Sequence, residues 1–495
     1  GKIIRSQIFT RVAQFSLHEF DKVSTSSLIT RTTNDTTQVQ QVLIMSLNMV
    51  ITAPITLIAG VILAFSQDTG LAWILVAAIP ILVGFIFLLM SRAIPLFRVV
   101  QVKLDKLNLI LDEGLTGVRV VRAFDRQRHE ERRFDTANLD LTDVTVRVNR
   151  LTAALMPVMM LVLNLSSIAI LWFGAMRINA GEMQVGALIA FLQYAMQILF
   201  ALLMVSFMFV MLPRAAASAD RINEVLAIEP EINDADEVKL ADDQRGYVEF
   251  RDVTFSYPGA EKPALSNISF RANPGEVTAI IGGTGSGKST LVSLIPRFYD
   301  IDSGSLLVDG VDVREIAQEH LRSKMSLVPQ KTVLFAGTIA DNIRYGKEDA
   351  SDEEIRYAAQ VAQASDFIAE KPDGFDAVIA QGGANVSGGQ KQRLSIARAL
   401  IRQPEIYLFD DSFSALDFKT DARLRAALKQ ETRNSTVFIV SQRVSTVMDA
   451  DQIIVLDEGR IAGIGTHREL MSSSEVYRDI VSSQLSVEEI AEEVA

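Results

Sequence analysis

Apolar residues are concentrated in the first 212 positions of the chain, where four long stretches contain no Asp, Glu, Lys or Arg. A helix needs about 20 consecutive apolar residues to cross the hydrocarbon core of a bilayer, and each stretch comes close to or exceeds that length. Buried helices of a soluble protein are the alternative, but four uncharged stretches in succession favour membrane spans. We therefore predict four transmembrane helices, within residues 39–65, 71–90, 151–173 and 185–212.

The segments between these stretches differ in length and charge. Residues 66–70 and 174–184 are short, whereas residues 91–150 are long and basic. Because positively charged loops stay in the cytoplasm, we expect the basic segment, the soluble half and the N-terminus to lie on the cytoplasmic side. The helical period over residues 103–150 predicts membrane helices that extend into the cytoplasm and meet at a turn over residues 117–124. Apolar side chains on so exposed a turn indicate a docking contact with the soluble half, with simple capping of the hairpin as the alternative.

The last two predicted spans are rich in methionine and phenylalanine. Such side chains can line an adaptable cavity for varied apolar ligands, although in many membrane proteins they pack together or face lipid. Because no ionisable residue lies within a span, the sequence argues against a proton or ion relay through these helices. The candidate lining residues are Met156, Met159, Met160, Met196, Met204, Met208, Phe191, Phe200 and Phe207, with Asn164, Gln193 and Gln197 as the polar ones.

Composition supports a membrane half followed by an acidic soluble half. Hydrophobic residues make up 49% of the chain, and the formal net charge is −12. The negative charge lies mainly in the second half and argues against a nucleic-acid partner. The absence of cysteine excludes disulfides and thiolate metal sites. The first residue is glycine and no signal segment follows it, so we expect the chain to be incomplete at its start.

The soluble half contains a glycine-rich loop between a predicted strand and a predicted helix. The strand covers residues 277–281, and the helix continues through residues 291–295. In that context Gly282-x4-Gly287-Lys288-Ser289 predicts a P-loop, whose backbone amides and helix N-terminus bind phosphate. We expect Lys288 to reach the outer phosphates and the Ser289 hydroxyl to ligate Mg²⁺. The predicted ATP-binding loop consists of Gly282, Gly283, Thr284, Gly285, Ser286, Gly287, Lys288, Ser289 and Thr290.

Two further segments point to the same chemistry. The apolar run at residues 406–409 predicts a buried strand that delivers Asp410 beside the P-loop as a Mg²⁺ ligand. Ser387 is a favourable N-cap for the helix that follows, and Gly388 and Gly389 leave backbone amides accessible, which predicts a second anion site. Because one chain does not need two sites for the same phosphate, the second site indicates two chains packed head to tail.

The P-loop, the segment Ser387-Gly388-Gly389-Gln390 and Asp410, in this order, resemble an ATP-binding cassette, and the preceding spans resemble those of an ABC-type exporter half-transporter. The resemblance implies an all-α membrane bundle, incomplete at its N-terminus, followed by an α/β P-loop NTPase cassette that uses ATP and Mg²⁺. The family has six spans in each half, which implies that about two spans precede residue 1 and that residues 1–20 continue a span. The implied regions are a transmembrane domain at 1–228, an acidic linker at 229–246, the cassette at 247–484 and an acidic tail at 485–495.

The resemblance also implies roles for residues that no pattern identifies by itself. Tyr257 would stack on the nucleotide base, and Gln330 would contact Mg²⁺ and couple the site to the membrane domain. Residues 414–417, here named the dimer-contact loop, would face the partner cassette. Two coupling turns would lie near residues 23–28 and 117–124.

Two positions depart from the family pattern. Asp411 stands where the family has a glutamate that polarises the attacking water, and a carboxylate misplaced by ~1 Å can cost ~100-fold in rate. Gln442 stands where a histidine contacts the γ-phosphate; glutamine can hydrogen-bond but carries no charge switch. Both losses fall on the site built on this chain's own P-loop, whereas residues 387–390, which would serve the other site, are intact. The chain thus resembles the degenerate-site subunit of a heterodimeric multidrug exporter.

The predicted function is ATP-driven export of hydrophobic or amphipathic compounds across the cell membrane, with hydrolysis impaired at this chain's own site. The partner would be a second half-transporter with Glu and His at the two degenerate positions; membrane lipid and a hydrophobic small-molecule substrate are the other expected contacts. The alternatives are a lipid or peptide exporter, a homodimer with two slow ATP sites, a gated channel, and a membrane scaffold that binds ATP without hydrolysing it. A soluble cassette protein is disfavoured by residues 39–212.

Overall fold

The computed structural model describes residues 1–235, 239 and 245–484, without the side chains of residues 203, 206–210, 213 and 214. The described chain forms two compact units. One unit comprises Gly1–Thr10 and Ser26–Ala227, and the other comprises Arg11–Thr25 with the described residues from Ile228 onward. The predicted tail at 485–495 and the linker positions 236–238 and 240–244 lie outside the described residues.

Long helices make up most of the first unit, as the apolar stretches predict. Within the described residues, four helical stretches are long and apolar enough to cross a membrane, namely Thr25–Gln67, Thr69–Thr116, Gln127–Asn179 and Val185–Leu202. They confirm the four predicted spans. The helices up to Leu226, of which α2 belongs to the second unit, are α1 (Lys2–Ala13), α2 (Leu17–Val23), α3 (Thr25–Thr30), α4 (Thr36–Gln67), α5 (Thr69–Thr116), α6 (Val118–Ala123), α7 (Gln127–Ala153), α8 (Leu155–Asn179) and α9 (Val185–Leu226), with a π-helical turn at Arg31–Asp35 before α4.

Asp68 fixes the short connection between α4 and α5. Its Oδ1 accepts a hydrogen bond from the Leu71 amide at 2.9 Å, which satisfies a free N–H in the first turn of α5. Its Oδ2 pairs with Nε of Arg177 at 2.9 Å and so ties the end of α8 to the same connection. Leu71 also packs in an apolar core with Ile170 of α8 and Phe191 of α9. The tight turn predicted here is therefore confirmed.

The predicted helical hairpin is formed by α5 and α7, which meet through α6. Two ion pairs brace it: Lys103 Nζ lies 2.5 Å from Asp140 Oδ2, and Arg133 Nη2 lies 2.6 Å from Glu113 Oε2. At the tip, Phe124 is 73% exposed. The hairpin and its apolar turn are confirmed, and the docking contact remains a prediction.

The linker is attached to the second unit rather than exposed along its whole length. Ile232 is buried. The side chain of Arg297 donates to the carbonyl oxygen of Asn233 at 3.2 Å. Before Ile232 in the chain, the amide of Glu231 donates a hydrogen bond to Oε1 of the buried Glu19 in α2 at 3.1 Å. An acidic segment without an apolar period is typical of an exposed linker, but here the apolar side chain of Ile232 is covered and the neighbouring backbone groups are hydrogen-bonded.

Two main sheets build the rest of the second unit. An antiparallel sheet has the order β2-β1-β4-β5, and a six-stranded sheet has the order β12-β11-β3-β10-β9-β6, in which only the edge strand β12 is antiparallel to its neighbour. The strands are β1 (Val248–Phe255), β2 (Leu265–Ala272), β3 (Val277–Gly282), β4 (Ser303–Val308), β5 (Val311–Asp312), β6 (Met325–Val328), β7 (Gly337–Thr338), β8 (Val378–Ile379), β9 (Ile406–Asp410), β10 (Thr436–Val440), β11 (Gln452–Asp457) and β12 (Arg460–Gly465).

Helices cover the six-stranded sheet, and its inner strands are apolar on both faces because both faces are buried. The strand predicted at 406–409 is confirmed as β9, which ends at Asp410. The helices are α10 (Lys288–Leu294), α11 (Gln318–Ser323), α12 (Ile339–Arg344), α13 (Asp352–Val361), α14 (Ser365–Ala369), α15 (Gly388–Leu400), α16 (Phe418–Glu431), α17 (Val444–Val447), α18 (His467–Ser473) and α19 (Glu475–Ser482).

Candidate nucleotide-binding site

Three parallel strands end side by side at the candidate site. Strand β10 lies between β3 and β9, and its Val440 is paired with Ile280 on one side and with Asp410 on the other. The loops that follow parallel strands open at the same sheet edge, which is where α/β proteins bind ligands. The structure therefore brings together the P-loop after β3, the Asp410–Asp411 pair after β9 and the loop containing Gln442 after β10.

The P-loop adopts a conformation that requires glycine. Gly287 has a φ of +97°, and a Cβ at this position would lie 2.9 Å from the carbonyl oxygen of Ala264. Gly285 has a φ of +84°, in the same left-handed region. By contrast, a Cβ on Gly283 or Gly285 would meet no atom within 4 Å. The loop is thus packed on one side and open on the other, as a backbone-lined phosphate site requires.

Lys288 and Ser289 begin the helix α10 that follows the P-loop. Lys288 Nζ donates to the carbonyl oxygens of Gly282 at 2.9 Å and Gly283 at 2.6 Å. Burial lowers the pKa of the Lys288 amine, and the nearby carboxylates partly oppose that shift. Ser289 Oγ donates to Asp410 Oδ1 at 2.9 Å. A hydroxyl beside a carboxylate offers the oxygen ligands that Mg²⁺ prefers, so these residues fit the predicted metal.

Asp410 and Asp411 are adjacent acids in a half-buried setting. Burial raises the pKa of both, and the charge of Asp411 adds to the rise at Asp410. Asp411 has a φ of +47°, and its amide donates to the carbonyl oxygen of Val440 at 3.0 Å. Its Oδ2 accepts a hydrogen bond from Gln330 Nε2 at 3.5 Å. The structure thus places Gln330 against the residue predicted to act on the attacking water.

Tyr257 lies beside the P-loop with an accessible ring. Its hydroxyl is 2.9 Å from Oγ1 of Thr290 in α10, and its ring meets that of Tyr299 edge-on at 5.4 Å. The Tyr257 side chain is nevertheless 39% exposed. A fixed phenol with a free face can stack on a base. The position agrees with base stacking, which remains a prediction.

The serine–glycine segment, residues 387–390, forms the N-terminus of α15. Ser387 Oγ accepts from the Gln390 amide at 3.3 Å, and Gln390 Oε1 accepts from the Ser387 amide at 3.0 Å, which is a complete capping box. This confirms the predicted N-cap. Helix α15 packs against α12, α13 and β6. Strand β6 is the edge strand, three positions or about 14 Å from β3. The structure therefore does not bring this segment together with the chain's own P-loop.

Two side chains that the sequence analysis did not select hold the dimer-contact loop. Gln392 of α15 accepts a hydrogen bond from the Ala415 amide at 3.1 Å and donates to Ser414 Oγ at 3.4 Å. Arg443 Nη2 donates to the carbonyl oxygen of Ser414 at 2.8 Å. Gln392 is only 6% exposed. A polar residue on the buried side of an amphipathic helix was the available signal for its role.

A cavity of about 510 Å³ lies between α4 and α9 in the membrane unit. Met204 belongs to its lining, as the sequence predicts for this span. Met159 and Phe191, two other candidates of the set, are instead buried between helices, as the packing alternative describes. The side chains of Phe207 and Met208 lie outside the described residues. The full lining is Gln41, Ile44, Met45, Asn48, Met49, Thr52, Met204 and Met211.

Comparison with known proteins gives matches along both units. The family described as ABC transporter transmembrane region matches residues 1–202, and the family described as ABC transporter matches residues 265–414. An uncharacterized ABC transporter ATP-binding protein of Mycobacterium tuberculosis is 45% identical over 488 residues, which cover 98% of this chain and 84% of that protein. An ATP-dependent lipid A-core flippase of Desulfotalea psychrophila is 35% identical over 486 residues, 97% of this chain and 84% of that protein.

A solved structure of a bacterial Atm1-family ABC exporter with ATP bound has the same fold, with a TM-score of 0.82 and 28% identity over 98% of this chain and 85% of that chain. The similarity covers the membrane helices and the α/β unit alike. The order of the two domains agrees with the order of the two family matches. This chain therefore belongs to the ABC transporter family, as an exporter half-transporter whose helical transmembrane domain is followed by a cytoplasmic ATP-binding cassette.

Proposed function

We propose that this half-transporter pairs with a different half-transporter and exports hydrophobic or amphipathic compounds. The observation that carries the proposal is the position of Asp411 and Gln442, which follow the adjacent strands β9 and β10 beside the chain's own P-loop. The intact serine–glycine segment lies elsewhere on the cassette and would complete the partner's site. Changes that affect one ATP site and leave the other intact are what we expect of a heterodimer with one degenerate and one competent ATP site.

In this proposal the chain's own site binds ATP well and hydrolyses it slowly. The loop amides and Lys288 bind the phosphates. Mg²⁺, when bound, would be held by Ser289, Asp410 and Gln330 and would neutralise phosphate charge. Asp411 would orient the attacking water from a carboxylate one methylene shorter than that of glutamate. A catalytic group displaced by ~1 Å can lower the reaction rate about 100-fold. ATP would therefore stay bound at this site because it is hydrolysed slowly.

The transport cycle follows from two unequal sites. ATP binding closes the two cassettes on each other, and the coupling turns transmit closure to the membrane helices. The cavity then changes from inward-facing to outward-facing. Hydrolysis at the competent site resets the transporter, while the degenerate site retains its nucleotide for longer.

The variant Asp411→Glu with Gln442→His tests the proposal. The chain is co-purified with its partner after the partner's catalytic glutamate has been replaced by glutamine, so that only this chain's site can turn over. We expect the double variant to raise ATP hydrolysis by about 10- to 100-fold. An exposed acid, Asp373→Glu, serves as the control and should leave the rate unchanged. A double variant no faster than the parent, or purification of two identical copies that hydrolyse ATP briskly, contradicts the proposal.

The cavity between α4 and α9 supports an apolar or amphipathic substrate. Its lining residues carry no charge, and methionine side chains adapt to varied apolar shapes. A lipid exporter is the second candidate, because one relative is named a lipid A-core flippase. Proteoliposome assays separate the two: ATP-dependent movement of a fluorescent phospholipid alone favours a lipid exporter, and uptake of a hydrophobic dye favours a multidrug exporter.

A further inference from the structure

A single glutamine at the end of the described cassette clamps the loop that contains Gln442. Gln484 Nε2 donates to the carbonyl oxygen of Gln442 at 2.7 Å, and Gln484 Oε1 accepts from the Val444 amide at 2.9 Å. One side-chain amide therefore holds the backbone on both sides of Arg443. Residues 441–444 are here named the switch loop. In the hydrogen bonds between described residues, Gln442 takes part through this carbonyl oxygen.

The clamp is held in place by the packing of α19. Tyr477 and Val481 of this helix are fully buried, in a cluster that includes Ala279 and Ile281 of β3 and also Val444. Helix α19 thus packs on the strand that leads into the P-loop. Gln484 follows the last turn of α19, so its amide is presented from a rigid support rather than from a free terminus.

The switch loop is also connected to the other half of the site. Arg443 donates to the carbonyl oxygen of Ser414 at 2.8 Å, and Ser414 Oγ donates to the carbonyl oxygen of Asp411 at 2.9 Å. Continuous hydrogen bonds therefore run from Gln484 through the switch loop and the dimer-contact loop to Asp411.

We propose that Gln484 is a positioning residue that fixes the switch loop so that Gln442 faces the nucleotide at this chain's own site. The proposal rests on the proposed function, in which Gln442 contacts that nucleotide. Gln442 itself is exposed, and in the hydrogen bonds between described residues it is held through its backbone carbonyl. Without the two hydrogen bonds from Gln484, the backbone of Gln442 would no longer be held in position. The Gln442 side chain would then contact the nucleotide less well, and the nucleotide would dissociate faster.

The experiment measures dissociation of a fluorescent ATP analogue from the full chain in nanodiscs. Gln484→Met removes both hydrogen bonds at similar volume and should speed dissociation roughly tenfold, since two net hydrogen bonds are lost. Gln484→Glu keeps the acceptor for the Val444 amide and loses the donor to the Gln442 carbonyl. Its dissociation rate should therefore lie between those of the parent and Gln484→Met. Ser483→Ala is the matched control, because among the described residues its hydroxyl donates to the Ile480 carbonyl of its own helix. A chain that ends at Gln484 should behave as the parent, and one that ends at Ser483 as Gln484→Met.

A double-mutant cycle with Gln442→Ala separates positioning from simple destabilisation. If Gln484 acts through residue 442, Gln484→Met adds nothing to the rate of Gln442→Ala. Equal effects of Gln484→Met in both backgrounds, or no effect in the parent, overturn the proposal. If Gln442→Ala itself leaves dissociation unchanged, the proposed function fails at this position instead. Thermal unfolding of each variant shows that the cassette remains folded.

Discussion

Glu249 shows at the scale of one residue how charge supports the sheet that carries Tyr257. Its Oε2 accepts from Arg251 of the same strand at 2.6 Å, and its Oε1 accepts from Arg271 at 2.9 Å across the β1–β2 pair. The hydrogen bond from Arg251 is the main cause that lowers the pKa of Glu249 below its usual 4.5, and Arg271 adds to it. The carboxylate therefore stabilises the fold above pH 4.5, and this stabilisation is lost as the pH falls through the lowered pKa.

We accordingly predict a pH-dependent effect of Glu249→Gln. At pH 7 the variant should lower the free energy of unfolding of the cassette by about 0.5–1 kcal/mol, because the arginines are exposed and their ion pairs are screened. In acid, where the parent carboxyl is protonated too, the difference should vanish. Denaturant unfolding at the two pH values measures it. Glu261→Gln, in an exposed loop, is the control and should not change the free energy of unfolding at either pH. A loss of stability in Glu249→Gln that is the same at both pH values would contradict a role for the Glu249 charge.

At this scale the sequence predicts residues with local signals and misses those whose partners are remote. The P-loop glycines, Ser387 and Asp410 are recognisable because neighbouring residues define their roles. Gln484 is 42 residues from Gln442, and only the packing of α19 on β3 brings the two together. No spacing in the sequence encodes that contact.

Two helices with the same N-terminal chemistry allow a test at the scale of the element. Helix α15 begins with a capping box of Ser387 and Gln390, and α13 begins with one of Ser351 and Glu354. In both, the serine oxygen accepts from the amide three residues later. Its proton remains available for a further acceptor. For α15 that acceptor would be a phosphate at the partner's site, whereas α13 has no such role in the proposed function.

Ser387→Ala and Ser351→Ala should therefore differ in function and agree in stability. Each should cost about 1 kcal/mol in the free energy of unfolding, since each removes an N-cap. Only Ser387→Ala should lower ATP hydrolysis by the competent site of the assembled transporter. Ser387→Thr, which keeps a hydroxyl, should retain most of the activity. Equal loss of hydrolysis in both alanine variants would mean that the serine–glycine segment acts through helix stability alone.

The sequence predicts the long helices as elements, but it does not predict which of them pack against each other. The uncharged stretches and the helical period of residues 103–150 suffice for α4, α5, α7, α8 and α9. Which faces line a cavity depends on how α4 and α9 pack, and Met45 and Met49 lie in a span where composition did not single them out. For the same reason Met159 and Phe191 are buried although the pattern allowed a cavity role.

At the scale of the whole molecule, the order of membrane helices and cassette follows from hydropathy and motif order, but the grouping of Arg11–Thr25 with the cassette unit does not. That segment is polar and helical, with no motif of its own. It is attached through Glu19, whose burial against the linker depends on three-dimensional packing. Contacts between separate parts of a chain are thus the level at which the sequence is least informative.

The apolar turn at α6 gives the last prediction, because coupling between ATP and the membrane helices is a property of the assembled molecule. Phe124 is 73% exposed in this chain, and Leu139 on the side of the same hairpin is 64% exposed. Truncation of either exposed side chain should change stability by no more than about 0.5 kcal/mol. If Phe124 docks on a cassette, Phe124→Ala should prevent closure of the cassettes from changing the membrane helices. Leu139→Ala should not have this effect.

This chain contains no cysteine, so in an assembly with a cysteine-free partner the effect is measurable without a known substrate. Met45→Cys places a single thiol in the cavity between α4 and α9, and its labelling rate by a maleimide reports whether the cavity is open. In the transporter with Phe124 intact, ATP should change that rate, and with Leu139→Ala it should do so equally. With Phe124→Ala the change should be lost while ATP binding is retained. A Phe124→Ala transporter whose labelling still responds fully to ATP would show that closure reaches the membrane by another route, since the only altered contact is the turn.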